Sequence, residues 1–597
     1  MEYLLTISIG PVQDFIAAAR KTRDLWMGSK MLCDVTRAAA LAVQDIGGDL
    51  VFPAPSCLSS DNSDKPIANK IVAVIKSGDP KQVSEKAREA ALECLRGYKS
   101  KLLEKFKSDA PSVSSAIDNT LLDSQIENFL EYYAAWWQME DYAKARSNVE
   151  RLMAGRKALR DFKPPDGRAG VPKSSLDPSR ESVFDPKEDL PKLGIKKGEP
   201  LDGVSLIKRV AEIRRFVSVS RVAADPFIRR LKSDCPDILR QLRDAAEALK
   251  DTDLVQRFDC TGMSQYKDFP YDTQLLFGDA SESERKNLSE DQQKLDKVDE
   301  FCRLVDEARE TLKVGEVIPY FAVIAADGDH MGALISSTVN PGDHRKLSAD
   351  LAEFSAEAEK IVAKHQGALV YSGGDDVLAF LPLDKALACA DELRNKFTDM
   401  LKGFAKGNVK PSLSVGVSIA HYGSHLQDLL EWARRAEREA KGNGRNSLAV
   451  HLHTRTAGDE YIGSVHSWDD NPVSNRWTVL VRALENEDVS TGFAYELRRL
   501  CMELKELKDV VEDKKYQDPD NPSLVKNLLE KEVERIAERK RGERGNVRAR
   551  TEEVLKLPHS TIKDVETLAS EMIISRHLVR ANKIAAGTQQ EVAQVEQ

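Results

Sequence analysis

The feature that most constrains the fold is a change of hydrophobic period after residue 318. Residues 319–326, PYFAVIAA, make a continuous apolar run of buried-strand type. Residues 344–366 return to helical spacing, and 368–372 (ALVYS) switch back to a strand. A two-glycine turn follows, then VLAFLP as the returning strand, a helix over 384–403, SLSVGVSIA as a strand and a helix over 425–441. The order β-α-β-β-α-β-α is the split βαβ arrangement. In that topology the first strand ends beside the tip of the hairpin, at one edge of the sheet.

What the sequence places at that edge is acidic. The first strand runs into Asp327-Gly328-Asp329-His330-Met331-Gly332, and the hairpin reads Tyr371-Ser372-Gly373-Gly374-Asp375-Asp376. Asp327 and Asp375 are 48 residues apart in the chain and become neighbours in space. Gly-Gly-Asp-Asp alone is ordinary turn chemistry. Asp327 on the matching strand end turns it into a cluster of like charges, which needs a cation to be tolerable. Mg²⁺ or Mn²⁺ suits such oxygen donors, and the set predicts a metal site of Asp327, Asp375 and Asp376. Two such ions would activate a 3′-hydroxyl and stabilise a pyrophosphate leaving group. Gly373 and Gly374 allow a tight turn with room for a nucleotide, and Gly328, Asp329 and His330 flank the same spot. Asp329 is the weaker of these nucleotide contacts and is expected to cap the following turn instead. The helix LQDLLEWARRAEREAKGNGRN buries Leu426, Leu429, Leu430, Ala433 and Ala436 and ends at Lys441. A lysine there reaches triphosphate oxygens, or simply complements the helix C-terminus.

The rest of the chain supplies scaffold. Its 597 residues suggest about four domains. The segment YLLTISIG reads as a strand ending at Gly10-Pro11. A helical pattern follows, broken near Gly28, and a second helix spans about 29–46. Residues 53–69 read as loop, and 81–160 as mostly helix with a Tyr132, Tyr133, Trp136, Trp137 cluster. Residues 163–203 hold seven prolines and five glycines and read as a loop-rich insertion. Residues 204–312 return to helix, with a basic run at 208, 209, 214, 215, 221, 229 and 230 that reads as a solvated helix face. From 477 onward the chain is helical, with loops at 513–523 and 538–550 and a polar tail. Net charge is −9, which excludes a histone-like polycation. Eight scattered cysteines with no CxxC pair and no leader-like segment point to a reducing cytoplasm, and no apolar run is long enough for a membrane span.

Together YSGGDDVLAF, ADGDHMG and the A-x-x-A-x-x-x-AK helix followed by GRN resemble the nucleotidyl-cyclase palm of diguanylate cyclases. The opening SIGPVQDFIAAARKTRDLWMGSKML resembles the first palm of the large subunit of type III-B CRISPR effector complexes, the Cas-ten (Cmr-two) family. The resemblance implies an α+β multidomain fold: two ferredoxin-like palm domains plus helical domains. It divides the chain into a first palm (1–162), a loop-rich insertion (163–215), a helical linking domain (216–315), a second palm (316–456) and a C-terminal helical domain (457–597). It implies an enzyme that joins ATP into cyclic oligoadenylate once target RNA pairs with the guide RNA, beside other effector subunits. Asp327, Asp375 and Asp376 carry over as metal-binding and catalytic, Lys441 as a phosphate contact, and Gln13, Phe15, Ser29 and Lys30 as lining the acceptor nucleotide. The same site could instead join AMP to S-adenosylmethionine, or stand silent in a scaffold subunit. Two departures from the family pattern are expected to matter. The palm strand begins at residue 3, so no HD-type nuclease is expected. Ser174–Asp177 and Asp202–Ser205 stand where many members have CxxC pairs, so a zinc-free, hydrogen-bonded turn is expected.

Overall fold

The computed structural model describes residues 1–58, 67–159, 170–212, 216–288 apart from 251 and 253, 291–406, 409–455, 460–469, 473–506, 524–539 and 552–586. The basic loop expected at 538–550, apart from its first two residues, lies outside them. So do the loop at 513–523, the basic positions 214 and 215, and the last ten residues.

Two sheets with the same topology form the body. The first palm runs β1 (Tyr3–Gly10), α1 (Gln13–Ala17), α2 (Thr22–Asp45), β2 (Asp49–Phe52), β3 (Lys70–Ile75), α3 (Pro80–Asp109), α4 (Asn119–Glu127), β4 (Glu131–Gln138) and α5 (Tyr142–Leu159). Its sheet order is β2-β3-β1-β4. Helices α6 (Gly203–Val210), α7 (Val219–Ala223), α8 (Asp225–Asp234) and α9 (Pro236–Ala248) follow. A small hairpin comes next, β5 (Val255–Arg257) with β6 (Tyr271–Thr273), then α10 (Gly278–Asn287) and α11 (Gln292–Leu312). The second palm runs β7 (Tyr320–Gly328), α12 (Met331–Ser337), α13 (Pro341–Lys364), β8 (Ala368–Ser372), β9 (Val377–Pro382), α14 (Ala386–Leu401), β10 (Leu413–His421), α15 (Leu426–Gly442), β11 (Ser447–Leu452) and β12 (Ile462–Ser467). Its order is β12-β11-β10-β7-β9-β8. Helices α16 (Val473–Glu485), α17 (Thr491–Glu506), α18 (Leu524–Arg539) and α19 (Ile562–Ala585) complete the chain; α19 packs on β12, α16, α17 and α8.

Three expectations need correction here. The stretch 81–160 is not all helix: EYYAAWWQ is β4, and its aromatic residues follow strand preference rather than a helical period. The strands DLVF and KIVAVI, β2 and β3, escaped the sequence reading because short apolar runs are ambiguous between strand and buried helix. Gly28 does not break a helix. It sits inside α2, where a Cβ would lie 3.2 Å from Lys208 Cε and 3.6 Å from Ile16 Cα. The chain instead breaks between α1 and α2, and the glycine lets other elements approach closely.

A further correction concerns charge. The basic run is no solvated face: Lys208, Arg209, Arg221 and Arg230 are all buried. Arg209 donates two hydrogen bonds to Asp24 (2.7 and 2.8 Å) and one to Glu199 (2.7 Å). Lys208 donates to the Phe15 and Ala18 carbonyls at 2.7 and 2.5 Å, tying down the end of α1. Burial lowers the pKa of Lys208 to about 8. Arg221 pairs with Asp225 (3.0 Å), and Arg229 bridges Asp225 and Asp384. A solvated helix face and a buried ion-pair face share one sequence pattern; only the placement of the acids separates them. In the insertion, Ser174 Oγ donates to Asp202 Oδ2 (2.7 Å), while Asp202 Oδ1 accepts from the backbone of Val204 and Ser205 (3.1 Å each), so hydrogen bonds close this turn and cap α6.

The palms dock reciprocally. α2 of the first meets β8 of the second, where Trp26 Nε1 donates to the Leu369 carbonyl (2.8 Å). α13 of the second meets β2 of the first, where Arg345 donates to the Leu50 carbonyl (2.8 Å) and to Asp49 (2.7 Å). Since α2 and α13, and β2 and β8, hold equivalent places, this is the contact pattern of an internal two-fold. Arg146 adds bonds to the Thr338 and Ser336 carbonyls (2.7 and 2.9 Å), and the Tyr142 hydroxyl meets His344 Nδ1 at 2.7 Å.

Replacing Asp24 with Ala should leave the Arg209 guanidinium buried without its main partner and cost about 3–5 kcal/mol in denaturant unfolding; a loss under about 1 kcal/mol would contradict this account. Burial lowers the pKa values of His344, His453 and His577 to about 4. These groups are neutral in the fold and charged when unfolded at mildly acidic pH. Stability should therefore hold above pH 6.5 and fall as pH drops from 6.5 toward 4. Thermal melts across that range should show the decline, with a smaller pH-dependent part in His344→Gln.

Candidate functional site

The candidate site lies where β7 ends. Ala326 pairs with Val377 across β7 and β9, and Asp327 pairs with Ser414 across β7 and β10. Asp327 therefore emerges from the central strand beside the tip joining β8 to β9. Gly328 provides the clearance: a Cβ there would lie 2.8 Å from Asp375 Cβ and 2.9 Å from Phe397 Cζ. The tip is shaped by Gly374, whose φ of +102° suits glycine. The Gly374 backbone N–H donates to Ser355 Oγ on α13 (3.1 Å), and the Gly373 N–H donates to the Asp376 carbonyl (3.0 Å). Asp327, Asp375 and Asp376 each offer a carboxylate oxygen, and these atoms lie within 4.8 Å of one another.

The cluster is electrostatically loaded. Burial, and then the neighbouring Asp376, push the pKa of Asp375 up to about 7; burial also raises that of Asp376. α15 brings the counter-charge. Lys441 forms an ion pair with Asp327 and lies 3.2 Å from Glu437 one turn earlier. Glu437, with only 14% of its side chain exposed, is a fourth acid of the site that sequence reasoning missed. Burial and the field of Asp376 push its pKa up to about 7. Its spacing of four from Lys441 was the available signal. Arg434, a turn further back on the same helix, feels both Asp376 and Asp14 of the first palm, while burial lowers its pKa.

The nucleotide contacts expected from sequence divide. Asp329 needs correction. It is fully buried, and its carboxylate accepts from Ser412 Oγ (2.7 Å), Ser414 Oγ (2.8 Å) and the Asn446 backbone N–H (2.9 Å). It ties the end of β7 to β10 and to the loop after α15. Phe15 also needs correction. It is 8% exposed, packs edge-on to Phe129 with centroids 4.9 Å apart, and lies under Lys208, so it serves the first palm's core. His330, at φ +57°, is exposed at the start of α12, and Gln13 is exposed at the start of α1. Gly328 makes room for Asp375. Ser29 and Lys30 line a cavity of about 1000 Å³ between α2, α3 and β8, whose wall includes Tyr371 and Ser372 just before the tip.

Three converging carboxylates, without nitrogen or sulfur donors, fit a hard divalent cation such as Mg²⁺ or Mn²⁺. The ammonium of Lys441 on Asp327 has the same electrostatic role, holding positive charge where acids crowd. Among the described residues no other group of three or more His, Cys, Asp or Glu side chains gathers this way, and no helix is long and apolar enough to cross a membrane.

Comparison with known proteins follows the two sheets. Residues 320–449 match the family model described as Cas10/Cmr2, second palm domain, and residues 4–107 match that described as CRISPR-associated protein Cmr2, N-terminal. The CRISPR system Cmr subunit Cmr2 of Pyrococcus furiosus is 36% identical over 186 residues, covering 26% of this chain and 21% of that protein. Cmr2 of Saccharolobus solfataricus is 31% identical over 131 residues, 19% of this chain and 12% of that protein. The matched region thus spans about a fifth or less of these curated relatives. In fold, the chain is similar to a subunit of type III-B Cmr-beta in its apo state (TM-score 0.59, 14% identity, 91% of this chain and 78% of that one). It is equally similar to Cmr-beta bound to cognate target RNA (TM-score 0.60, 15% identity, 91% and 79%). Both palms are thus matched in chain order by models of Cas10/Cmr2 domains, the curated relatives matched over part of their length are Cmr2 subunits, and the fold is similar to that of a chain of type III-B Cmr-beta.

Proposed function

We propose that this chain is a metal-dependent nucleotidyltransferase that joins ATP into cyclic oligoadenylate, working inside a guide-RNA effector complex and switched on by target RNA. The observation that carries the reading is the convergence of Asp327, Asp375 and Asp376 at the hairpin tip, with Lys441 beside them. Bound divalent ions would supply Lewis acidity to the attacking hydroxyl and to the departing pyrophosphate. Asp327, Asp375 and Asp376 would hold them. Lys441 and Arg434 would bring positive charge to a triphosphate lying over the carboxylates. Gly374 would leave the approach on its side free of side chains, while Gly373 makes room for the Tyr371 ring. Ser29 and Lys30, in the cavity beside β8, would meet an acceptor nucleotide from the first palm. Partners fit the same reading: the relatives are Cmr subunits, and one structure of similar fold is bound to cognate target RNA.

The assembled complex supplied with ATP, Mg²⁺ and target RNA should release pyrophosphate and oligoadenylates, read by mass spectrometry. Asp375→Ala combined with Asp376→Ala should cut this by about 100-fold or more; unchanged turnover would remove the catalytic assignment. A product mass that appears only with S-adenosylmethionine would move the acceptor to that molecule. A second expectation concerns stability without metal. Asp375 is desolvated beside Asp376, so Asp375→Asn in chelator should raise the melting temperature, by roughly 1–2 kcal/mol of stability, while abolishing the added stability that Mn²⁺ gives the unaltered chain.

A further inference from the structure

We propose that Lys441 stands in for the divalent ion until one binds, and that Glu437 then takes over the lysine: its ammonium leaves Asp327 for Glu437 as the ion arrives, and waits there for the triphosphate. Such an exchange presupposes the proposed function, in which Asp327, Asp375 and Asp376 hold the ion. Among the described residues, Lys441 makes the one ion pair to any of these three carboxylates. Asp327 and Lys441 keep 27% and 29% of their side chains exposed, so an ion from solvent can reach the pair.

Two cations compete here for one carboxylate. An ammonium and a divalent ion on Asp327 together would lie a few ångströms apart, where like charges repel strongly in a half-buried site. The lysine therefore has to give way when metal binds to Asp327. It has little distance to cover. Lys441 sits in the last turn of α15, and its flexible stem re-aims the ammonium while the helix stays in place.

Glu437 is placed to receive it. It lies one turn earlier on α15, with Lys441 Nζ 3.2 Å from its Oε1. That oxygen is buried and, among the described residues, accepts no hydrogen bond. A buried acid without a hydrogen bond is costly, and the ammonium coming off Asp327 supplies the missing donor. Glu437 is not one of the acids whose oxygens gather within 4.8 Å of one another, so its position suits it to hold the lysine and not the ion.

The test is Mn²⁺ binding to the free full-length chain, without nucleotide or RNA, read from the paramagnetic resonance signal of unbound Mn²⁺. Lys441→Met should bind Mn²⁺ about tenfold more tightly than the unaltered chain, since ammonium and ion are coupled competitors. Lys441→Gln, which keeps a polar end, should do the same. Arg434→Met removes an equal charge near Asp376 but breaks no ion pair to the three carboxylates, and should change the affinity by a clearly smaller factor. Glu437→Gln should weaken binding, and should do so by a several-fold smaller factor when Lys441 is already Met, because no lysine remains to be received. Equal weakening in both backgrounds would make Glu437 a plain charge and overturn the exchange. So would unchanged or weaker binding in both Lys441 variants, or an Arg434→Met effect as large as that of Lys441→Met. Each of these leaves the proposed function standing. Mn²⁺ binding by none of these chains would instead remove the metal site, and the proposed function together with this inference.

Discussion

Across β7 and β9, Ala326 faces Val377, and this register sets everything that happens at the site. It brings the end of the central strand level with the hairpin tip, so that Asp327 meets Asp375 and Asp376 although the chain separates them widely. A one-residue slip would turn Asp327 away and bring Ala326 and Gly328 to its side instead. The register is held by buried side chains on both faces of β7, by Gly328 admitting the tip at contact distance, and by Asp329 gathering Ser412, Ser414 and the Asn446 backbone. The carboxylate that lost its place at the site thus fixes the place of the ones that kept it.

Charge is handled in two ways in this molecule. In the interior, Arg209 with Asp24 and Glu199, and Arg221 and Arg229 with Asp225, are paired almost completely and join α2 to α6 and α7 to α8. Such pairs pay desolvation on both sides and add little net stability, yet they tolerate few alternative packings. At the site the balance is left incomplete. Four acids, Asp327, Asp375, Asp376 and Glu437, share Lys441 and Arg434, and burial raises the pKa values of three of them. A surplus of desolvated acid beside one lysine is unfavourable for the protein alone, and it is the condition under which a divalent ion binds well.

The reciprocal docking of the palms explains why one topology serves two ends. In the second palm the strand end and hairpin tip carry Asp327, Gly373, Gly374, Asp375 and Asp376. In the first, β1 ends at Gly10 and the β2–β3 connection is longer and without such a pair. The first palm instead contributes α2, whose Trp26 anchors on β8 and whose Ser29 and Lys30 face the cavity next to the tip.

Much of the second palm was legible because its strands are long, continuous apolar runs and its turn residues are unambiguous, which made Asp327, Asp375, Asp376 and Lys441 readable as one constellation. Of the first palm's strands only β1 was legible; DLVF, KIVAVI and EYYAAWWQ are short, or rich in aromatics, and carry no period that separates strand from helix. Local chemistry, that is, which residues can turn, bind a cation or end a helix, was decided by the sequence itself. Whether Arg209 meets water or Asp24, whether Asp329 points to a nucleotide or into the sheet, and that Glu437 joins the acids were decided by tertiary structure alone. A side chain's partner lies far along the chain, and only packing brings the two within the few ångströms over which ion pairs and hydrogen bonds act.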